Sequence, residues 1–155
     1  MKKAFKIAAI VLVLGFITIQ FFGIDKTNPP IVESETLEAV VAVPPDVALI
    51  LGRSCNDCHT DKTVYPWYAN IQPSGWFLKD HIDHGKSHLN LSKFATYEKN
   101  KKIKSLEEIC EEVQSAAMPL PSYLWIHRDA RLSESDKRAL CDWTEQAIAN
   151  LEAVK

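Results

Sequence analysis

Eighteen residues from Ile7 to Ile24 carry no charge, and they directly follow Lys2, Lys3 and Lys6. A buried core helix of a soluble domain does not combine a basic start with so long an uncharged run. Residues 1–24 are therefore set apart from the globular fold and read as an export signal. Eighteen residues is short for a bilayer span and long for the core of a cleaved signal. Large rings, Phe21 and Phe22, stand where a peptidase needs small side chains. An uncleaved anchor through residues 7–24 is thus favoured over a cleaved signal. The lysines stay on the cytoplasmic side and the chain after Asp25 faces the outer compartment, the bacterial periplasm.

Setting that segment aside changes the charge balance. The whole chain has 18 Lys and Arg against 20 Asp and Glu, and three of those bases are lost with the segment, leaving 15 against 20. A domain at −5 is a poor partner for nucleic acid. Residues 25–45 follow with Pro pairs at 29–30 and 44–45, which disfavour helix before each pair and stiffen the chain. They read as a spacer, although Glu33 to Val43 leaves room for a short helix or strand against the domain.

Residues 46–155 make one domain. Only Gly52, Gly75 and Gly85 occur there, and no stretch alternates with period two, so the expected fold class is all-α. Four helices are expected. The first covers Asp46–Ser54 behind Pro45. The second starts at a capping Ser74 and runs to about His88, and the third starts at a Ser105/Glu108 capping box. A Ser133/Asp136 device opens the last.

Cys55-Asn56-Asp57-Cys58-His59 carries the chemistry. Two thiols three positions apart can each add S–H across one vinyl group of a haem, and the next imidazole can then coordinate iron. One covalent haem c is the cofactor implied, and export supplies the compartment where it is attached. A thioredoxin-like dithiol would follow a strand and open a helix, and a zinc site would need a fourth ligand such as another His. Both remain alternatives.

Met118 is the one thioether beyond Met1, and Pro119 behind it stiffens its loop, so it is the first candidate for the second axial ligand. A gap-filling core Met is the plain alternative. His81, His84 and His88, at i, i+3 and i+7 on the second helix, compete with it. His127 is a weaker candidate. Cys110 and Cys141 are expected to pair in an oxidising compartment rather than stay as buried thiols. Tyr65, Trp67 and Trp76 lie within 17 residues of His59 and read as wall of a haem pocket, or else as ordinary core. Lys99, Lys101, Lys102 and Lys104 form the domain's basic run, a solvated loop that could dock an acidic redox partner or anionic head groups.

Cys55-x-x-Cys58-His59, Tyr65-Pro66-Trp67-Tyr68-Ala69-Asn70-Ile71, Asp80-His81 through His88-Leu89-Asn90, and Met118-Pro119-Leu120-Pro121-Ser122-Tyr123 together resemble the small bacterial haem-binding domain proteins, relatives of monohaem cytochrome c. The likeness spans about residues 44–150. It implies an all-α c-type cytochrome with His59 as proximal ligand. The function expected is one-electron transfer between unidentified donor and acceptor proteins. A haem-based sensor is the second class, and a peroxidase-like enzyme is disfavoured because no distal Arg/His pair is readable.

Overall fold

The computed structural model describes residues 1–153, and among them every regular element is helical. We number the α-helices α1 (Lys2–Ile19), α2 (Pro45–Ser54), α3 (Asn56–His59), α4 (Ser74–His88), α5 (Lys99–Gln114), α6 (Pro121–Leu124) and α7 (Glu134–Ala153). Short 3-10 turns join them, including Glu33–Glu35, Leu37–Ala39, Trp67–Asn70, Leu91–Thr96 and Arg128–Ala130.

Two apolar clusters organise the chain. The larger lobe gathers α2, α5, α7 and the 3-10 turns around Leu37 and Phe94, with Leu37, Phe94, Leu106 and Leu140 fully buried. Cys110 on α5 is bonded to Cys141 on α7, so the two longest helices of the domain are pinned together. The smaller lobe has Ala69, Leu78 and Ile82 at its centre, with Ile24, Tyr65, Tyr68 and Cys58 packed around them.

Local chemistry explains most helix ends. Pro45 occupies the first turn of α2, where its missing N–H costs nothing. At α7, Asp136 N–H donates to Ser133 Oγ while Ser133 N–H donates to Asp136 Oδ2, so the Ser133/Asp136 device forms as expected. Arg53 of α2 closes on the same carboxylate at 2.6 Å. The other two caps differ from expectation. Ser74 lies inside α4 and donates its hydroxyl to the Tyr68 and Ile71 carbonyls, closing the preceding turn instead of accepting an N–H. α5 begins six residues before Ser105, at Lys99, so Ser105 is a buried mid-helix residue and the expected basic loop is the first turns of a helix. Lys101 there lies 3.9 Å above the Tyr97 ring and Lys104 pairs with Glu108.

The segment expected as a spacer contributes to the core. Leu37 is 0 % exposed and Val41 is buried with it, while Trp143 of α7 donates its indole N–H to the Ala42 carbonyl at 2.9 Å. Two Pro pairs bound this segment without preventing its middle from folding back, because the apolar Leu37, Val41 and Val43 gain more from burial than an extended spacer would.

The expected membrane anchor finds no support in the helices. No helix among the described residues is long and apolar enough to cross a membrane. α1 holds Lys2, Lys3 and Lys6 and ends at Ile19, so its uncharged part rises about 20 Å against a hydrocarbon thickness of about 30 Å. The residues after it are held by the domain. Gln20 and Gln72 exchange two hydrogen bonds, the Trp76 indole donates to the Phe22 carbonyl, Lys26 meets Asn70, and Asn28 donates to the Thr63 carbonyl.

Candidate functional site

The Cys55–His59 motif forms the joint between the lobes. Cys55 closes α2, its N–H donating to the Leu51 carbonyl, and α3 then turns the chain so that His59 N–H and Cys58 N–H both reach back to the Cys55 carbonyl. Cys55 packs on the large cluster and Cys58 on the small one.

Helix α4 crosses behind the motif at Gly85. A Cβ there would stand 3.0 Å from the Cys58 carbonyl oxygen and 3.5 Å from His59 Cε1, so glycine allows the approach. One turn on, the Leu89 carbonyl accepts a hydrogen bond from His59 Nδ1 at 2.9 Å. A carbonyl can only accept, so Nδ1 carries the proton and Nε2 presents its lone pair. Burial holds the imidazole below its ordinary pKa and keeps it neutral, opposed by its hydrogen bond to Leu89. A neutral imidazole with Nδ1–H tied to a carbonyl is the form in which histidine binds a metal through Nε2.

The two thiols are held protonated. Burial pushes Cys55 up to about 12 and Cys58 up to about 11, with the neighbouring Cys58 sulfur and the Asp57 carboxylate adding to the respective shifts. A redox dithiol needs the opposite, a thiol pKa lowered into reach of neutral pH, and no strand precedes this motif. Nor do the side chains gather for zinc: no group of three His, Cys, Asp or Glu is placed to hold an ion among the described residues.

After Met118, α6 returns the chain to the motif. Tyr123 donates its hydroxyl to Asp57 Oδ2 at 3.0 Å and stacks flat on His127 at 4.1 Å. His127 Nε2 in turn meets the Tyr68 hydroxyl at 2.9 Å. Burial, first of all, raises both phenols above their usual pKa, and the Asp57 charge adds to it. Asp57 Oδ1 also accepts the Val64 N–H at 3.1 Å, so the residue between the two cysteines anchors the segments on both sides.

A search for relatives finds the haem-binding domain family matching residues 14–146. The chain belongs to that family. This haem-binding domain begins well before the motif, in keeping with the hydrogen bonds that tie residues 20–28 to α4 and its preceding turn. No curated protein and no solved structure matches the chain.

The other sequence-expected residues fall in distinct places. Tyr65 is half-buried in the small cluster, Trp67 is 69 % exposed with its edge against Tyr68, and Trp76 is spent on the Phe22 carbonyl. Met118 is half-buried, its N–H donating to the Glu112 carbonyl at 3.0 Å. His81 turns to its own helix, Nδ1 on the Phe77 carbonyl and ring against Phe77, while His84 and His88 pair edge to face. Sequence reasoning missed Gly85 and Tyr123 as site residues, and it read Tyr68 only as part of a pocket-wall segment. The Tyr-Pro-Trp-Tyr and Met-Pro-Leu-Pro-Ser-Tyr strings contain both tyrosines, but their convergence on Asp57 and His127 is a property of the fold.

Proposed function

We propose that this haem-binding domain holds one haem c through Cys55 and Cys58, with His59 Nε2 as proximal ligand, and passes single electrons in the bacterial periplasm. The observation that carries this reading is the His59 Nδ1–H bond to the Leu89 carbonyl, which presets the imidazole for iron before any cofactor arrives. Haem supplies the one-electron couple; the chain supplies attachment, orientation and exclusion of water. Buried S–H groups suit thioether formation, because addition across a vinyl bond uses the thiol hydrogen and releases nothing. Burial of His59 and the close approach of Gly85 keep water from the Nδ1 side of the ring.

Met118 is the second ligand we favour. Its loop is drawn toward the motif by Tyr123 on Asp57. His88 belongs to the turn of α4 that packs on the Nδ1 side of His59, away from the Nε2 that would hold the iron. A soft thioether favours ferrous iron and a raised potential. Lys2, Lys3, Lys6 and the apolar run support export, and a disulfide between Cys110 and Cys141 fits an oxidising compartment. Donor and acceptor would be proteins, and nucleic acid has no counterpart on a domain at −5.

The test is a pyridine haemochrome spectrum and a haem stain on a denaturing gel, using the full chain matured in a periplasm with attachment machinery. A c-type band that disappears in Cys55→Ser/Cys58→Ser is expected. Loss of the near-infrared sulfur-to-iron band in Met118→Ala would establish the thioether ligand; an unchanged ferric spectrum would refute it.

A further inference from the structure

We infer that Arg128 and Arg131 form a clamp for the two propionates of the haem. An open groove of about 610 Å³ is lined by Leu124, Trp125, Arg128 and Arg131, a volume within the range of about 300–1,000 Å³ usual for cofactor sites. Its wall is tied to the motif at two points. Ser54, the residue before Cys55, donates its hydroxyl to the carbonyl of Ala130, between the two arginines, at 2.9 Å, and Tyr123, the residue before Leu124, donates to Asp57. The segment that lines the groove is therefore fastened to the motif on both sides of Trp125.

Its chemistry is that of a flat, dianionic ligand. Trp125 is 80 % exposed, an unusual cost for the largest apolar side chain unless something covers it. The two guanidiniums, separated in sequence by Asp129 and Ala130, make no ion pair with any carboxylate among the described residues. Arg53, also near Cys55, is by contrast taken up by Asp136 at 2.6 Å. Two forked donors matched to two carboxylates, beside an apolar ring, form the charge-assisted, bidentate arrangement that arginine suits and lysine does not.

This assignment rests on the haem reading above, and its test separates the two. Holo-protein carrying Arg128→Gln/Arg131→Gln is compared with the parent by pyridine haemochrome, resonance Raman and redox titration. The expected result is an unchanged c-type band, a propionate bending mode moved to that of a water-exposed carboxylate, and a lowered midpoint potential, because two cations near the iron are gone. Arg128→Lys/Arg131→Lys should hold the potential while still moving the Raman mode, and Arg53→Gln, whose partner is Asp136, should leave the Raman mode in place. If the double variant does not accumulate, Arg128→Gln and Arg131→Gln singly carry the same readout. A c-type band with parental Raman mode and potential in the Gln variants overturns the clamp alone. Absence of the c-type band from the parent chain overturns the haem reading, and the clamp falls with it.

Discussion

The two lobes that meet at the motif are built differently. The large one buries Leu37, Phe94, Leu106 and Leu140 completely and is cross-linked between α5 and α7. The small one has only Ala69, Leu78 and Ile82 fully inside, and its larger rings stay partly open, Phe77 at 56 % and Trp76 at 40 % exposure. A lobe with so little buried area contributes little folding energy by itself. Polar bonds therefore do much of its work: Gln72, 1 % exposed, accepts the Trp76 N–H and bonds twice to Gln20. The large lobe is a scaffold, and the small lobe is held against it through Cys58, His59 and α4.

That contrast can be broken most severely in the scaffold. Phe94→Ala should cost about 3–5 kcal/mol of unfolding free energy by denaturant titration, and Leu37→Ala about 2–5 kcal/mol. A Leu37→Ala loss below about 1 kcal/mol would return residues 33–43 to the status of a spacer. Replacing Cys110 and Cys141 by Ser opens a cross-link of sequence separation 31 and should lower stability by about 3–4 kcal/mol in the chain-entropy account.

Smaller effects should mark the joint. Gly85→Ala drives a methyl group into the Cys58 carbonyl and should cost about 1–3 kcal/mol while changing the haem spectrum, whereas Gly52→Ala, with open space around it on α2, should raise stability by about 0.5–1 kcal/mol and leave the spectrum unchanged. The smallest change belongs to the α7 cap. Ser133 hydrogen bonds, with Arg53 adding to them, hold the Asp136 carboxyl below its ordinary 3.8. A depressed carboxyl stabilises the fold above that unfolded value, and the contribution is lost as pH falls through the folded one. Asp136→Asn should thus cost about 1 kcal/mol at neutral pH, with the gap to the parent closing in acid. A gap that is constant with pH would remove the carboxylate from the account.

Much of this was legible in sequence because it is written locally. The Pro45 start, the α4 and α7 boundaries and the Ser133/Asp136 device follow from neighbours within four residues. The α5 start was not, because Lys99 to Lys104 carry no apolar periodicity and the helix there is held by Lys104–Glu108 and by Lys101 over Tyr97. The folding-back of Leu37 was equally hidden, since it depends on Trp143 reaching the Ala42 carbonyl across 101 residues. At the site, Cys55, Cys58 and His59 announce themselves by spacing. Leu89 does not: a backbone carbonyl 30 residues away has no signature in a side-chain pattern.

Four cysteines could form a single disulfide in six ways, and only the Cys110–Cys141 bridge leaves both motif thiols free. Cys55 packs on the same cluster as Cys110. The fold sorts them. Cys110 and Cys141 face each other across α5 and α7, while the other two sulfurs are left as half-buried thiols whose raised pKa keeps them protonated and slow toward oxidants. The packing that selects the Cys110–Cys141 bridge thus keeps the Cys55 and Cys58 thiols out of it.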